Sequence, residues 1–187
     1  MNIAAIAFIK SNYLVAILCL TLLAAAISDY RSQRIPNALT FSFALVAIII
    51  HTCHNGLDGL LFAIYGMVTG TLLLIVPYMM GGMGAGDAKL MGMVGAFLGV
   101  KAVFTAFLFT ALCGGVYAVG LVLIKRKAFK DFFRNQYEAL MVFLFTKKYS
   151  VHIPKGDRRP RLCYGIAIAL GTYLFIGLDL LGVDLFW

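Results

Sequence analysis

Two of the eight carboxylates in the chain differ from the rest in where they lie. Asp29 follows a long apolar run, and Asp87 follows the glycine-dense sequence Gly84-Ala85-Gly86. Two neighbouring aspartates cannot both ionise cheaply, so such a pair holds one proton between them. The ionised partner can take a proton from water while the protonated one polarises a carbonyl group. The titration belongs to the pair. These residues predict hydrolysis with Asp29 and Asp87 as the catalytic residues, without a metal or cofactor.

The local sequence favours a site over two separate helix ends. A single carboxylate at the boundary of an apolar run is typical of a helix terminus, but two of them, one beside several glycines, are less common. Glycines allow positive φ angles and close approach of a peptide to the backbone. Asp87 also lies at the start of a predicted helix, where the partial positive charge favours its ionised form. The other six carboxylates lie in a basic loop or near the outer ends of apolar runs: Asp58, Asp131, Glu138, Asp157, Asp179 and Asp184.

The elements that must position this pair are apolar helices. Of the 187 residues, 62% are hydrophobic and 13% are charged, with a mean hydropathy of +0.93. One water-soluble core cannot bury that much apolar surface, so the bilayer must be the solvent for much of it. The sequence predicts an all-α, polytopic membrane protein, with residues 1–187 forming a single membrane-embedded domain.

Charged and glycine-rich segments divide the chain into about six predicted spans. Pro36 and Asn37, the latter as N-cap, are expected to begin the second span. Lys10 and the alanines at 24–26 give the first run some likeness to a signal peptide, but the runs that follow favour a retained first helix. The fourth span has only 13 residues, or ~20 Å of helix, so it is short, continues past Lys101, or is re-entrant. The predicted spans are approximately 7–27, 37–54, 59–80, 88–100, 102–124 and 162–182.

The distribution of basic residues predicts the orientation. The net charge is +8, and eleven of the 16 Lys and Arg residues lie in 125–161, between two apolar runs. This is the asymmetry of a cytoplasmic membrane face, so membrane lipid rather than nucleic acid explains the charge. With six spans, Asp29, Asp87 and this loop share the cytoplasmic side of a cell inner membrane. Aromatic and basic residues alternate at helical spacing within 125–161, which predicts an amphipathic helix in the interface.

Cysteines and histidines do not form a recognisable metal or redox motif. The four cysteines are scattered, with no C-x-x-C pair, and are expected to be small apolar residues. His51 and His54 flank Cys53, but no second ligand cluster accompanies them, so both histidines are interpreted as interfacial polar residues.

Three sequence elements resemble the type IV prepilin peptidases, a family of membrane aspartic proteases with a G-x-G-D motif. The first is Gly84-Ala85-Gly86-Asp87 with the following Lys89, and the second is the run from Asp29 through Ile35, Pro36 and Asn37. The third, residues 162–169, is similar to a P-Y-G-x-A-I sequence and contains Tyr164 and Gly165, with Cys163 in place of the usual proline. The resemblance covers most of the chain from 29 to 171.

The resemblance implies a function and a substrate. Its members remove a short basic leader from type IV prepilins or pilin-like proteins at the cytoplasmic membrane face. Asp29 and Asp87 would be the catalytic aspartates and Gly84 and Gly86 would shape the turn, while the role of Lys89 is left open. Larger members also methylate the new N-terminus and carry a segment with paired C-x-x-C motifs. Its absence from this sequence argues against methyltransferase activity and predicts the short form associated with Flp/Tad pili.

Two other classes of function are compatible with parts of the sequence. Intramembrane proteases of the presenilin or signal-peptide-peptidase kind share the G-x-G-D motif, but they are longer and carry a P-A-L element that is not found here. A proton-coupled carrier or accessory protein would place its acids near the middle of spans and often has repeated halves. The prepilin that is cleaved and the oligomeric state cannot be inferred from the sequence.

Overall fold

The computed structural model describes residues 12–79, 83–124 and 164–182. These residues form four α-helices and no strand: α1 (Asn12–Ser32), α2 (Asn37–Met79), α3 (Ala85–Ile124) and α4 (Tyr164–Leu180). The predicted all-α class is therefore confirmed for the described part of the chain. The predicted interfacial helix within 125–161 and Lys10 lie outside it. Residues 12–114 and 164–182 belong to one compact unit, and 115–124 belong to another.

The 43-residue α2 is interrupted at Gly56, whose φ of 59° and ψ of −133° are not helical. A Cβ atom on Gly59 would collide with the carbonyl group of His51. In a continuous helix these two residues would be about 12 Å apart along the axis. Residues 37–55 and 57–79 therefore fold back on each other at Gly56. The positive φ at this turn is readily adopted by glycine.

The 40-residue α3 is interrupted in the same way at Gly99, which has φ 76° and ψ 178°. The ring of Phe62 occupies the space that a Cβ atom would need there. This break separates residues 85–98 from residues 100–124, where the sequence predicts the boundary between the fourth and fifth spans. The sequence did not indicate that Gly99 would cause it.

Glycines bring the second half of α2 against the first half of α3. A Cβ on Gly66 would collide with the carbonyl of Gly95, and one on Gly70 would collide with the carbonyl of Met91. Small residues allow helices to approach this closely, which is typical of packing within membranes. The segment 85–98 is thereby held in the interior, and every residue from 90 to 99 is buried. A central helix surrounded by protein does not need to span the full hydrocarbon thickness, which explains the shortness of the predicted fourth span.

Three of the helices in the described part are long and apolar enough to cross a membrane: Tyr13–Ser32, Asn37–Met79 and Ala85–Gly120. The apolar α4 is shorter, at 17 residues. Large apolar side chains are exposed along these helices, among them Leu20, Leu45, Leu72 and Leu112. The structure thus supports a polytopic α-helical membrane protein, but it does not by itself divide the long helices into the six predicted spans.

The last helix packs against the first. The hydroxyl group of Tyr173 donates a 2.6 Å hydrogen bond to the carbonyl of Cys19. On another side, a Cβ on Gly171 would lie 2.5 Å from Cα of Thr110, so α4 also lies against α3. Both contacts place the beginning of α4 at the end of the bundle where α1 ends.

Two predicted helix boundaries need correction. α1 was expected to end near residue 27, but it continues to Ser32 and ends beside Gln33, which has a φ of 51°. α2 does begin at Asn37 as predicted, but the N-cap interpretation of Asn37 is wrong. The carbonyl of Pro36 accepts the hydrogen bonds of the first turn, and the Asn37 side chain instead faces Lys89.

Candidate active site

Asp29 lies in the last turn of α1 and is only 5% exposed. Its Oδ2 accepts a 2.9 Å hydrogen bond from the backbone N–H of Gly165, in the first turn of α4. The first N–H groups of a helix have no partner within the helix and carry a partial positive charge. The carboxyl group of Asp29 satisfies one of these donors, and α4 in turn fixes its orientation.

Asp87 lies in the first turn of α3 and is 6% exposed. Its Oδ2 accepts a 3.0 Å hydrogen bond from the N–H of Gly84, and its own N–H donates to the carbonyl of Gly84 at 3.1 Å. This reciprocal pair closes the turn that precedes α3. The predicted role of Gly84 in shaping this turn is consistent with these contacts.

The elements that hold the two aspartates have one side chain as a common neighbour. Ile35, in the loop after α1, lies between the elements that hold them. A Cβ on Gly86 would be 3.2 Å from Cβ of Ile35, and a Cβ on Gly165 would be 3.1 Å from its Cδ1. The same Cβ on Gly165 would be 2.9 Å from Oδ2 of Asp29. The three sequence elements therefore converge at one end of the bundle.

The aromatic ring of Tyr164 lies at the same end of the bundle. Its ring packs against α3, because a Cβ on Gly114 would lie 2.7 Å from its Cε2. Tyr164 therefore holds the first turn of α4 against α3, next to the residue whose N–H binds Asp29.

Lys89 joins the loop after α1 to the beginning of α3. Its Nζ donates a 2.9 Å hydrogen bond to Oδ1 of Asn37 and lies 5.3 Å from the centre of the Phe41 ring. Pro36, next to Asn37, contributes its backbone carbonyl to the start of α2. All nine residues predicted for the site, from the motif glycines to Tyr164, are therefore at the same end of the helices.

Sequence reasoning did not identify two residues of this region. The sequence indicates Ile35 only as a member of the second family element, and it gives no indication of Phe41. No independent signal marks Ile35, because single apolar residues in polar loops are common and need no buried partner. No signal marks Phe41 either, because one aromatic residue in an apolar helix is indistinguishable from its neighbours.

The arrangement provides two buried carboxyl groups, each in a terminal turn of its helix, at the same end of the bundle. Within residues 12–79, 83–124 and 164–182, no group of three His, Cys, Asp or Glu side chains is placed to hold a metal ion. The expectation of a metal-free site stays a prediction. The carboxyl pair is the arrangement in this region that could perform acid–base chemistry on a bound peptide.

Comparison with known proteins identifies the family of this chain. A sequence model of the type IV leader peptidase family matches residues 16–119, which include Asp29 and Asp87. The chain is 34% identical over 110 residues to the prepilin leader peptidase/N-methyltransferase of Bacillus subtilis (strain 168). That alignment covers 57% of this chain and 44% of the relative. No solved structure gives a significant match. Because the family match extends over more than half of the sequence, this chain belongs to the type IV leader peptidase family.

Proposed function

We propose that this chain is a membrane aspartic endopeptidase that removes the short basic leader of type IV prepilins or pilin-like proteins. The observation that carries the proposal is that Asp29 and Asp87 are both buried, each held by a backbone N–H from a motif glycine, on elements that both contact Ile35. Family membership supports it, since the relative is named a prepilin leader peptidase.

The proposed chemistry uses both carboxyl groups at once. The ionised aspartate takes a proton from a water molecule, whose oxygen attacks the scissile carbonyl carbon. The protonated aspartate donates its proton to the carbonyl oxygen, which gives a neutral tetrahedral intermediate. On collapse, the amide nitrogen takes the proton from one aspartate as the C–N bond breaks, and a hydroxyl group of the intermediate returns a proton to the other aspartate. The leader leaves with a new carboxyl end and the mature protein with a new amine.

The proposed topology has six spans, with the aspartates facing the cytoplasm of the inner membrane. Its support is the reversal at Gly56 and the break at Gly99, which divide the two long helices. Arg31 and Arg34 are exposed beside the site, and basic residues favour the cytoplasmic side. The hydrophobic helix of a bound substrate would then remain in the bilayer while its leader projects into the cytoplasm.

We further propose that these 187 residues cleave the substrate without methylating the product. They contain none of the paired C-x-x-C motifs that larger members of the family carry. The mass of the mature N-terminal peptide, measured after cleavage by this chain, distinguishes the two activities. An added methyl group would contradict this part of the proposal.

The test of the peptidase is cleavage of co-expressed prepilins, followed by gel shift, with wild type, Asp29→Asn and Asp87→Asn. Asparagine keeps the size of the side chain and removes its titrating proton. Asp58→Asn is the matched control, because Asp58 is exposed and lies beyond Gly56, at the turn between the two halves of α2. We expect cleavage by wild type and by Asp58→Asn and none by the other two, at equal membrane levels. Retained cleavage in either of the two would contradict the mechanism, and a wild type without activity would favour a carrier.

A further inference from the structure

The loop after α1 contacts both aspartate-bearing elements through Ile35. On one side, Ile35 is tight against Gly86, the residue before Asp87. On the other, its Cδ1 faces Gly165, the residue whose N–H binds Asp29. The partly buried side chain of Ile35 therefore lies between Gly86 and Gly165, which belong to the elements that hold Asp87 and Asp29.

A second contact connects α3 to the start of α2, two residues after Ile35. Asn37 accepts the hydrogen bond from Lys89, which is two residues after Asp87. The ammonium group also lies over the ring of Phe41, one turn beyond Asn37, where the π face attracts a cation. Lys89 is thus oriented by two groups of α2, although its partner in the hydrogen bond is neutral.

We propose that Ile35, Asn37 and Lys89 are positioning residues that hold the Asp29 and Asp87 carboxyl groups at their working separation, an inference that rests on the proposed function. Asp29 and Asp87 belong to different helices, and the hydrogen bonds to Gly165 and Gly84 orient each one separately. Ile35 limits how closely the elements that hold Asp29 and Asp87 can approach each other. The Lys89–Asn37 bond prevents the same elements from moving apart. A displacement of ~1 Å between reacting groups can reduce turnover by roughly a hundredfold.

The test is a double-mutant cycle of Asn37→Ala and Lys89→Met, with kcat and KM measured on a purified prepilin. A contact that acts as one unit gives non-additive effects. We expect kcat to fall roughly tenfold in each single variant, with KM unchanged, and the double variant to be no slower than either. Lys89→Arg, which can still donate to Asn37, is expected to recover most of the lost kcat. Lys101→Met is the matched control, a lysine of the same helix beyond Gly99.

Ile35→Ala provides the second arm of the experiment. It removes the atoms that face Gly165 while keeping the Cβ that faces Gly86. We expect a lower kcat with unchanged KM. The unfolding midpoint should stay high enough for the variant to be fully folded under assay conditions. An Ile35→Ala variant with wild-type kcat would contradict the positioning role of Ile35.

The outcomes separate this inference from the proposed function. Two results with an active wild type would contradict the positioning role. In one, the losses of kcat in Asn37→Ala and Lys89→Met multiply in the double variant. In the other, Lys89→Met raises KM alone, which would mean that Lys89 contacts the substrate. If wild type cleaves none of the prepilins, the proposed function itself is wrong and the positioning role is wrong with it. The unfolding midpoints of the same four proteins report the contact independently, because a real Lys89–Asn37 bond makes the midpoints of the cycle non-additive as well.

Discussion

The backbone N–H of Gly165 donates a 2.9 Å hydrogen bond to Oδ2 of Asp29, across 136 residues of chain. This bond connects the end of the first helix to the beginning of the last. It gives the third sequence element a physical role, because the first turn of α4 supplies the donor that orients one carboxyl group of the pair. The glycine is required by space as well, since any Cβ at that position would contact Asp29.

Gly165→Ala should therefore impair cleavage while leaving the protein in the membrane. The new Cβ would lie 2.9 Å from Oδ2 of Asp29 and 3.1 Å from Cδ1 of Ile35, which is closer than van der Waals contact allows. We expect kcat for prepilin cleavage to fall at least roughly tenfold, because the displaced carboxyl group no longer meets its partner. The measurement is kcat of purified protein, normalised to the folded fraction.

Gly177→Ala is the matched control for that substitution. Gly177 lies in the same helix, and no atom of the described chain lies within 4 Å of the position of its Cβ. Its kcat should equal that of wild type, and helix propensity should favour alanine slightly. Equal kcat values for Gly165→Ala and Gly177→Ala would show that the orientation of Asp29 does not depend on this contact.

The two catalytic substitutions should not be additive. If Asp29 and Asp87 share one proton and one water, removal of either carboxyl group destroys the whole unit. We expect Asp29→Asn, Asp87→Asn and the double variant each to lose ~10³-fold or more in kcat, with the double no slower than the singles. Single-turnover kinetics at saturating substrate would measure this. A double variant that is slower than both by a further large factor would mean that each aspartate acts independently.

Much of this arrangement could be predicted from the sequence, and the remainder depends on tertiary contacts. The aspartate pair and its motif glycines were predictable because helix ends and glycine-rich turns have strong local signals. The boundary near residues 99–102 followed from helix length. The role of Lys89 was not predictable, since its partners Asn37 and Phe41 are distant in sequence.

The same reason explains the mistaken capping assignment. An asparagine at the start of a helix is usually an N-cap, but here the side chain is used by a lysine 52 residues away. Ile35 is a similar case, because its importance comes from two glycines that belong to other elements. Local patterns predict where a helix begins and ends, whereas the use of a particular side chain depends on which elements pack against it.

His51 should stabilise the opposite end of the bundle without affecting catalysis. Its Nε2 lies 3.1 Å from the carbonyl of Phe97, just before the break at Gly99, and the side chain is buried. Because a carbonyl only accepts, this nitrogen carries the hydrogen. Carbonyl groups at a helix break lack their usual partners, so loss of the donor should cost about 1–3 kcal/mol.

The measurement is thermal unfolding of His51→Ala in detergent, together with kcat below the unfolding transition. We expect a lower midpoint and a wild-type kcat. His54→Ala, which removes an exposed side chain that contacts Tyr13, is the comparison variant and should have a smaller effect on the midpoint. A wild-type midpoint for His51→Ala would mean that the Phe97 carbonyl finds another partner at no cost.

The close helix contact at Gly66 and Gly95 should be sensitive to a single methyl group. A Cβ at either residue would collide with the backbone carbonyl of the other, and backbone atoms cannot rotate away. Gly95→Ala should therefore lower the free energy of unfolding by about 1–3 kcal/mol. Gly120→Ala, where no described atom lies within 4 Å of the added carbon, is the control and should be neutral or slightly stabilising. Equal unfolding midpoints would contradict the close packing.

The six-span topology makes a prediction about chemical labelling from the two sides of the membrane. In a variant without the four native cysteines, Arg34→Cys lies beside the aspartates and Asn55→Cys lies beside the reversal at Gly56; both residues are exposed. A membrane-impermeant thiol reagent added to intact cells should label position 55, while position 34 should react only after the membrane is opened. Leu20→Cys, exposed in the middle of α1, should be labelled in neither case, because lipid surrounds it. Labelling of positions 34 and 55 from the same side would show that residues 37–55 do not cross the membrane. Labelling of position 34 in intact cells would remove the assignment of the aspartates to the cytoplasmic face.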